Sequence, residues 1–138
     1  MGNRGERKGE RMREILFKAK RKDNGEWVEG GYFCEPYTDK EFIIRWNSFG
    51  LGYNELIEID PETLCLYTGI TDENGRKIWE NDIVEIAGED GYFKCEWDED
   101  TVRFVLNGYE LIVDFDNYYG YECEVVGNVF ENGDLLEE

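Results

Sequence analysis

Histidine is absent from this chain of 138 residues, and none of its four cysteines forms a C-x-x-C pair. Without an imidazole, any catalytic triad that uses a histidine base is excluded. The widely spaced Cys34, Cys65, Cys95 and Cys123 also lack a histidine that could complete a mixed zinc site. We therefore expect reduced, buried thiols that act as small apolar side chains, and neither a metal nor a cofactor.

Long apolar runs are missing as well. No stretch of the chain approaches the ~20 apolar residues that a membrane-spanning helix needs. The short Ile15-Leu16-Phe17 run cannot form the apolar core of a signal peptide. These absences predict a cytoplasmic protein that has no membrane partner.

Positive charge is scarce beyond the first 22 residues. Residues 1–22 hold nine Lys/Arg and three Asp/Glu, which gives a net charge of +6. Residues 23–138 hold six Lys/Arg and thirty Asp/Glu, which gives a net charge of −24. So acidic a body repels phosphate backbones and anionic lipid, which argues against direct nucleic-acid binding. Self-repulsion that keeps the protein soluble explains the charge, and the alternative is an acidic DNA mimic that regulates a DNA-binding protein.

What the chain does contain is enough apolar side chain for a core, 41% hydrophobic and 15% aromatic, together with 16 glycines. Residues 1–11 have no apolar side chain after Met1 and are predicted to be a disordered basic leader. Residues 12–66 are predicted to be a β subdomain rich in hairpins. Its first hairpin turns at Asp23-Asn24-Gly25, and Gly30-Gly31 is interpreted as a bulge.

Residues 67–138 are predicted to form the C-terminal part. A tight turn at Asp72-Glu73-Asn74-Gly75 repeats the turn chemistry of Asp23-Asn24-Gly25. About five short strands joined by tight turns favour a small SH3-like barrel, since closure removes exposed strand edges. A strand over residues 122–130 would be the last, and the final eight residues would fray. Helix is limited to one or two short turns, one of them capped by Asp60 before Pro61. The predicted fold class is therefore all-β.

An ordered series of motifs resembles the YopX-like family of phage and prophage proteins. The motifs lie at residues 13–20, 25–30, 59–63, 67–84 and 124–132, and the similarity covers nearly all of residues 12–136. The resemblance implies a mostly β protein with an SH3-like C-terminal part, encoded by phage or prophage DNA, that could assemble with itself. It implies no reaction and no catalytic residues. Gly69, Gly75 and Gly127 are interpreted as positions of backbone freedom, and Ile78 and Ile83 as core anchors.

Carboxylates are the main groups left for acid–base or metal chemistry. Asp114 and Asp116 share one strand face and could bind a hard cation such as Mg²⁺, and Glu96, Asp98, Glu99 and Asp100 form a second acidic group. These residues support a metal-dependent hydrolase only as a remote alternative. In a chain with 33 acidic residues, such pairs arise by chance.

Aromatic residues in predicted loops are the better candidates for a binding surface. They are Trp46, Phe49, Tyr53, Tyr118, Tyr119 and Tyr121. Aromatic side chains beside acidic ones suit a basic or proline-rich protein partner. The simpler interpretation is that they close the open ends of a small barrel. We therefore expect a non-enzymatic protein-interaction module with a host or phage partner, and a homo-oligomer remains an alternative because strand edges can pair between copies.

Overall fold

The computed structural model describes residues 14–45, 54–108, 111–115 and 122–137. Its strands form two antiparallel sheets, so the predicted all-β class is confirmed. The first sheet has the order β4-β3-β2-β1-β5-β6. Its strands are β1 (Phe17–Lys20), β2 (Trp27–Cys34), β3 (Glu41–Arg45), β4 (Glu55–Glu58), β5 (Cys65–Thr71) and β6 (Lys77–Trp79).

The second sheet has the order β10-β9-β8-β7-β11. Its strands are β7 (Asp82–Ile86), β8 (Phe93–Asp98), β9 (Arg103–Asn107), β10 (Ile112–Asp114) and β11 (Cys123–Asn128). Within the described residues, β10 and β11 are the edges of this sheet, and closure into an SH3-like barrel stays a prediction. The predicted boundary between residues 66 and 67 falls inside β5, which pairs with β1 of the first sheet.

The first hairpin forms at the predicted turn. Gly25 has a φ of +76°, which a glycine adopts without strain, and its N–H donates to Arg21 O at 2.9 Å. The predicted bulge at Gly30-Gly31 is wrong, because β1 and β2 pair without a register shift. Strand β2 changes partner there, from β1 to β3, and a Cβ on Gly30 would collide with the carbonyl oxygen of Ile44. Close backbone approach therefore explains this glycine.

The end of β4 returns to the end of β1. Ile59 forms a β-bridge with Arg21, and Lys22 N donates to Glu58 O at 3.0 Å. This return wraps strands β1 to β4 around a small core, whose buried residues are Ala19, Val28, Ile43, Ile57 and Ile59. Asp60 then caps a 3₁₀ turn over Pro61–Thr63 by accepting from Glu62 N at 3.1 Å, as the Asp-Pro pair predicts.

A larger core lies against the second sheet. Ile78 and Ile83 are fully buried, which confirms them as anchors. Ile78 belongs to β6 of the first sheet but packs into the second core, so it joins the two sheets. The buried residues of that core are Ile78, Val84, Ile86, Phe93, Cys95, Phe104, Leu106, Phe115, Cys123 and Val125.

The C-terminal end differs from its prediction. Strand β11 ends at Asn128, and a short helix, α1 (Val129–Asn132), is followed by a 3₁₀ turn over Gly133–Leu136. Asn128 Oδ1 accepts from the N–H groups of Phe130 and Glu131 at 2.9 and 3.0 Å, so an asparagine cap ends the strand and starts the helix. Gly127 is needed for packing, because a Cβ would lie 2.6 Å from Asn132 Cγ.

All four cysteines are free. Cys65, Cys95 and Cys123 are buried as expected, but Cys34 is exposed, because it ends β2 at the rim of the small core. Burial raises the pKa of the Cys65 thiol to about 11. In the part of the chain that the structure describes, no helix is long and apolar enough to cross a membrane.

Candidate functional site

A row of cations and aromatic rings lies on one face of the first sheet, where Tyr67 and Trp79 are buried. Lys18 Nζ lies 4.5 Å from the ring centre of Trp27 and 5.0 Å from that of Trp79, and Lys77 Nζ lies 5.7 Å from that of Tyr67. The strand register explains the arrangement, since Lys18 and Tyr67 fall on the same face of β1 and β5. Contact with a ring face stabilises a cation and fixes its position.

These cations border a cavity of about 400 Å³. We call it the basic groove, and its lining residues are Lys18, Glu29, Gly75, Arg76, Lys77, Trp79, Asp82, Val125, Gly127 and Asn128. Gly75 reaches it through the predicted Asp-Glu-Asn-Gly turn, where its φ is +81°. Arg76 Nη1 donates to the carbonyl oxygen of Val125 at 3.2 Å, which joins the turn to β11.

Two buried carboxylates, Asp72 and Asp82, lie behind the groove, and their pKa values are shifted in opposite directions. Burial raises the pKa of Asp82 to about 6, although the N–H of Trp79 and the charges of Lys18 and Arg76 oppose that rise. Burial also opposes ionisation of Asp72, but backbone N–H donors, led by that of Val125 at 3.0 Å, outweigh it and hold its pKa below the ordinary value. Asp72 is therefore a structural anion, and Asp82 is costly when charged.

A second surface lies beyond the groove, along β4, which is an edge strand of the first sheet in the described ranges. The register of β2, β3 and β4 places Phe33, Phe42, Ile44 and Leu56 on one outer face. Of these side chains, Phe33 is 39% and Leu56 54% exposed. Beside them is a cavity of about 320 Å³, which we call the edge cleft. It is lined by Arg21, Lys22, Asp23, Glu55, Leu56, Ile57 and Glu58.

The backbone of β4 is open to this cleft. Ile59 N donates to Glu41 O at 3.0 Å, and the antiparallel pattern therefore turns Ile57 and Glu55 towards β3. Leu56 then directs its N–H and C=O into the cleft. Among the described residues, Lys22 reaches this edge at Glu58 O and no strand pairs with Leu56 from that side.

All six residues of the predicted aromatic site lie outside the described residues: Trp46, Phe49, Tyr53, Tyr118, Tyr119 and Tyr121. The first three belong to the segment that joins β3 to β4, and the last three to the segment that joins β10 to β11. Trp46, Phe49 and Tyr53 therefore directly precede the edge strand β4 in the sequence.

The predicted carboxylate groups are engaged in local structure. Asp114 pairs with Arg103 at 3.1 Å, whereas Asp116 lies outside the described residues. Glu96 accepts from Asn107 Nδ2 at 2.9 Å, and a hydrogen bond from Thr101 lowers the pKa of Asp98. In the described ranges, no three Cys, Asp or Glu side chains converge in a way that could hold a metal ion.

Sequence reasoning missed the basic groove and the edge cleft. The groove combines β1, the β5–β6 turn, β7 and β11, which are distant in the chain. One local signal was present, because Lys18 and Lys20 alternate on β1 with the half-buried Phe17 and the buried Ala19. Another is Asp82, a carboxylate next to the core anchor Ile83.

The sequence profile described as "YopX protein" matches residues 16–137, nearly the whole chain. The chain belongs to the YopX family. No curated protein matches it. Among solved structures, this YopX-family chain is similar to the crystal structure of protein EF1440 from Enterococcus faecalis, at 22% identity and a TM-score of 0.57. The match covers 91% of this chain and 100% of the other, and at this identity it supports the shared fold alone.

Proposed function

We propose that this YopX-family protein is a phage or prophage accessory protein that acts without catalysis, in the host cytoplasm, by binding a partner protein. The observation that carries the proposal is the edge cleft beside an exposed apolar face. An unpaired strand edge next to apolar side chains is the arrangement used to bind an extended peptide as an additional strand. Backbone hydrogen bonds would supply affinity there, and the apolar side chains would supply selectivity.

The occupant that fits best is an extended, basic segment of another protein. The acidic body, with a net charge of −24 over residues 23–138, attracts positively charged segments over long range. The charges at the cleft are already paired with each other, as in Lys22–Glu58 at 3.3 Å and Arg21–Asp23 at 3.0 Å. Exposed pairs of this kind are worth about 0–1 kcal/mol, so a partner can replace them at little cost.

A variant that alters only the cleft tests the proposal. Leu56→Lys puts a charge on the apolar face and leaves the fold intact, because this side chain is 54% exposed. The proposal predicts that the partner which co-purifies with the wild-type protein is lost from Leu56→Lys and retained by Ile112→Lys, a matched change at a 64% exposed residue of the edge strand β10. Equal retention by both variants would contradict it.

The nature of the partner separates the alternatives. If the cleft binds a second copy of this chain, light scattering will show a dimer that Leu56→Lys disrupts, and the protein-partner proposal fails. If the partner is a DNA-binding protein, its affinity should fall steeply as salt rises, which is the behaviour expected of a DNA mimic. Affinity that does not change with salt would exclude the DNA mimic and leave apolar strand addition.

A further inference from the structure

The basic groove gathers cations that have no ion-pair partner. In the described ranges, six lysine and arginine side chains lie within ion-pair distance of a carboxylate: Lys20, Arg21, Lys22, Arg45, Lys94 and Arg103. The other four in those ranges are Lys18, Lys40, Arg76 and Lys77, and all of these except Lys40 line the groove. In so acidic a protein, carboxylates are abundant, so this concentration of unpaired cations calls for an explanation.

The three cations are held in place by neutral groups. Lys18 Nζ lies close to the rings of Trp27 and Trp79, Lys77 Nζ lies over Tyr67, and the Arg76 guanidinium donates to the carbonyl oxygen of Val125. Lys18 even stands opposite Glu29 in the β1–β2 register without forming an ion pair with it. Side chains that are already positioned lose less conformational entropy when an anion binds.

The carboxylates of the groove limit what it can bind. Asp82 is buried and accepts the N–H of Trp79 at 2.9 Å, and Glu29 is exposed at the rim. With Asp72 behind the groove, its three cations are balanced by three acids, so the groove is about neutral within a strongly negative body. Long polyanions such as DNA are therefore repelled by the surroundings, whereas a compact anion can contact the three cations directly.

We propose that the basic groove binds a phosphate group, either free phosphate or a small phosphate ester. An arginine fork and two ammonium groups are the donors that proteins use for phosphate oxygens. The volume of about 400 Å³ suits a small ligand. The site is separate from the edge cleft, so it goes beyond partner binding, and either function can fail without the other.

Titration of the full chain with inorganic phosphate, followed by calorimetry at constant ionic strength, tests this site. We expect saturable binding that becomes about fivefold weaker in Lys77→Gln, since one nearby charge is lost. Lys40→Gln is the matched control, because Lys40 is also unpaired in the described residues but lies outside the groove, and it should bind like the wild type. Near-identical melting temperatures of the two variants would establish that both are folded.

Titrations with glycerol 3-phosphate and with chloride distinguish a phosphate ester, free phosphate and a non-specific anion. Tighter binding of the ester than of inorganic phosphate would assign the site to a small phosphorylated molecule, and the reverse would assign it to the free ion. An equal response to chloride, or equal weakening in Lys40→Gln and Lys77→Gln, would overturn the proposal. Tight binding of duplex DNA at physiological salt would overturn the proposal too, because the acidic body should repel polyanions.

Discussion

The two sheets of this protein differ in the charges that they carry and in the cores that they bury. Of the ten lysine and arginine side chains in the described ranges, only Lys94 and Arg103 lie on the second sheet, and each is paired. The first sheet carries the edge cleft and the lysines of the basic groove, which β7 and β11 complete, whereas the second contributes most of the larger core. We propose that the second sheet supports a first sheet on which a partner binds.

The largest effect should come from the residue that links the sheets. Ile78→Ala removes a fully buried side chain from the second core, and we expect it to lower the free energy of unfolding by about 4 kcal/mol. Hydrogen exchange should then increase in both sheets. The change to alanine at the equally buried Ile43 should speed hydrogen exchange mainly in β1 to β4. If Ile78→Ala also affected exchange in one sheet alone, Ile78 would not link the two sheets.

A slightly smaller loss of stability is expected when the carboxylate of Asp72, which lies between the sheets, is removed. Asp72→Ala leaves the N–H groups of Val125, Asn74 and Arg76 without their acceptor. We expect a loss of about 3 kcal/mol, which urea unfolding can measure. Asp60→Ala removes an exposed cap, which should cost about 1 kcal/mol, so a smaller loss for Asp72 than for Asp60 would contradict the role assigned to Asp72.

Asp82 should make stability fall as pH rises. Its pKa is raised to about 6 in the folded protein from an ordinary value of 3.8, so the folded state holds this proton more tightly than the unfolded state. The stabilisation is fully present below pH 4 and is lost as pH rises through 6. Asp82→Asn removes this dependence, because the amide oxygen can still accept from Trp79 and no charge is buried.

The difference between Asp82→Asn and the wild type isolates this group, since all other carboxylates are shared. Relative to wild type, the variant should gain about 2 kcal/mol in unfolding free energy between pH 4 and pH 7. Urea unfolding at both pH values measures that gain. A pH-independent difference would mean that neither burial nor the neighbouring Lys18, Arg76 and Asp72 set the protonation of Asp82.

Local chemistry explains what the sequence predicted well. The Asp23-Asn24-Gly25 and Asp72–Gly75 turns depend on residues that tolerate tight turns, and Asp60-Pro61 is a local capping signal. Ile78 and Ile83 are buried as expected, although β6 and β7 do not alternate strictly between buried and exposed side chains. Non-local features were out of reach, because the pairing of β1 with β5 and the convergence on the basic groove join residues far apart in the chain. The C-terminal helix was missed although its cap, Asn128, is local, because the apolar residues after it also fit a strand.

The smallest effect on stability is expected at Leu56, the residue that matters most for the proposed partner. Leu56→Lys should change the unfolding free energy by less than about 0.5 kcal/mol, since the side chain is exposed. Loss of partner binding without loss of stability would sharpen the division between the two sheets. Destabilisation comparable to that of Ile78→Ala would show instead that the outer face of β4 is part of a core.

Photo-crosslinking from the edge strands β4 and β10 tests directly whether a partner protein binds at β4. A benzophenone amino acid replaces Leu56 on β4 in one protein and Ile112 on β10 in the other, at sites of similar exposure. We predict a discrete crosslinked partner from position 56 and none from position 112. A partner captured mainly from position 112 would contradict the account and would favour the Tyr118, Tyr119 and Tyr121 segment after β10 as the binding surface.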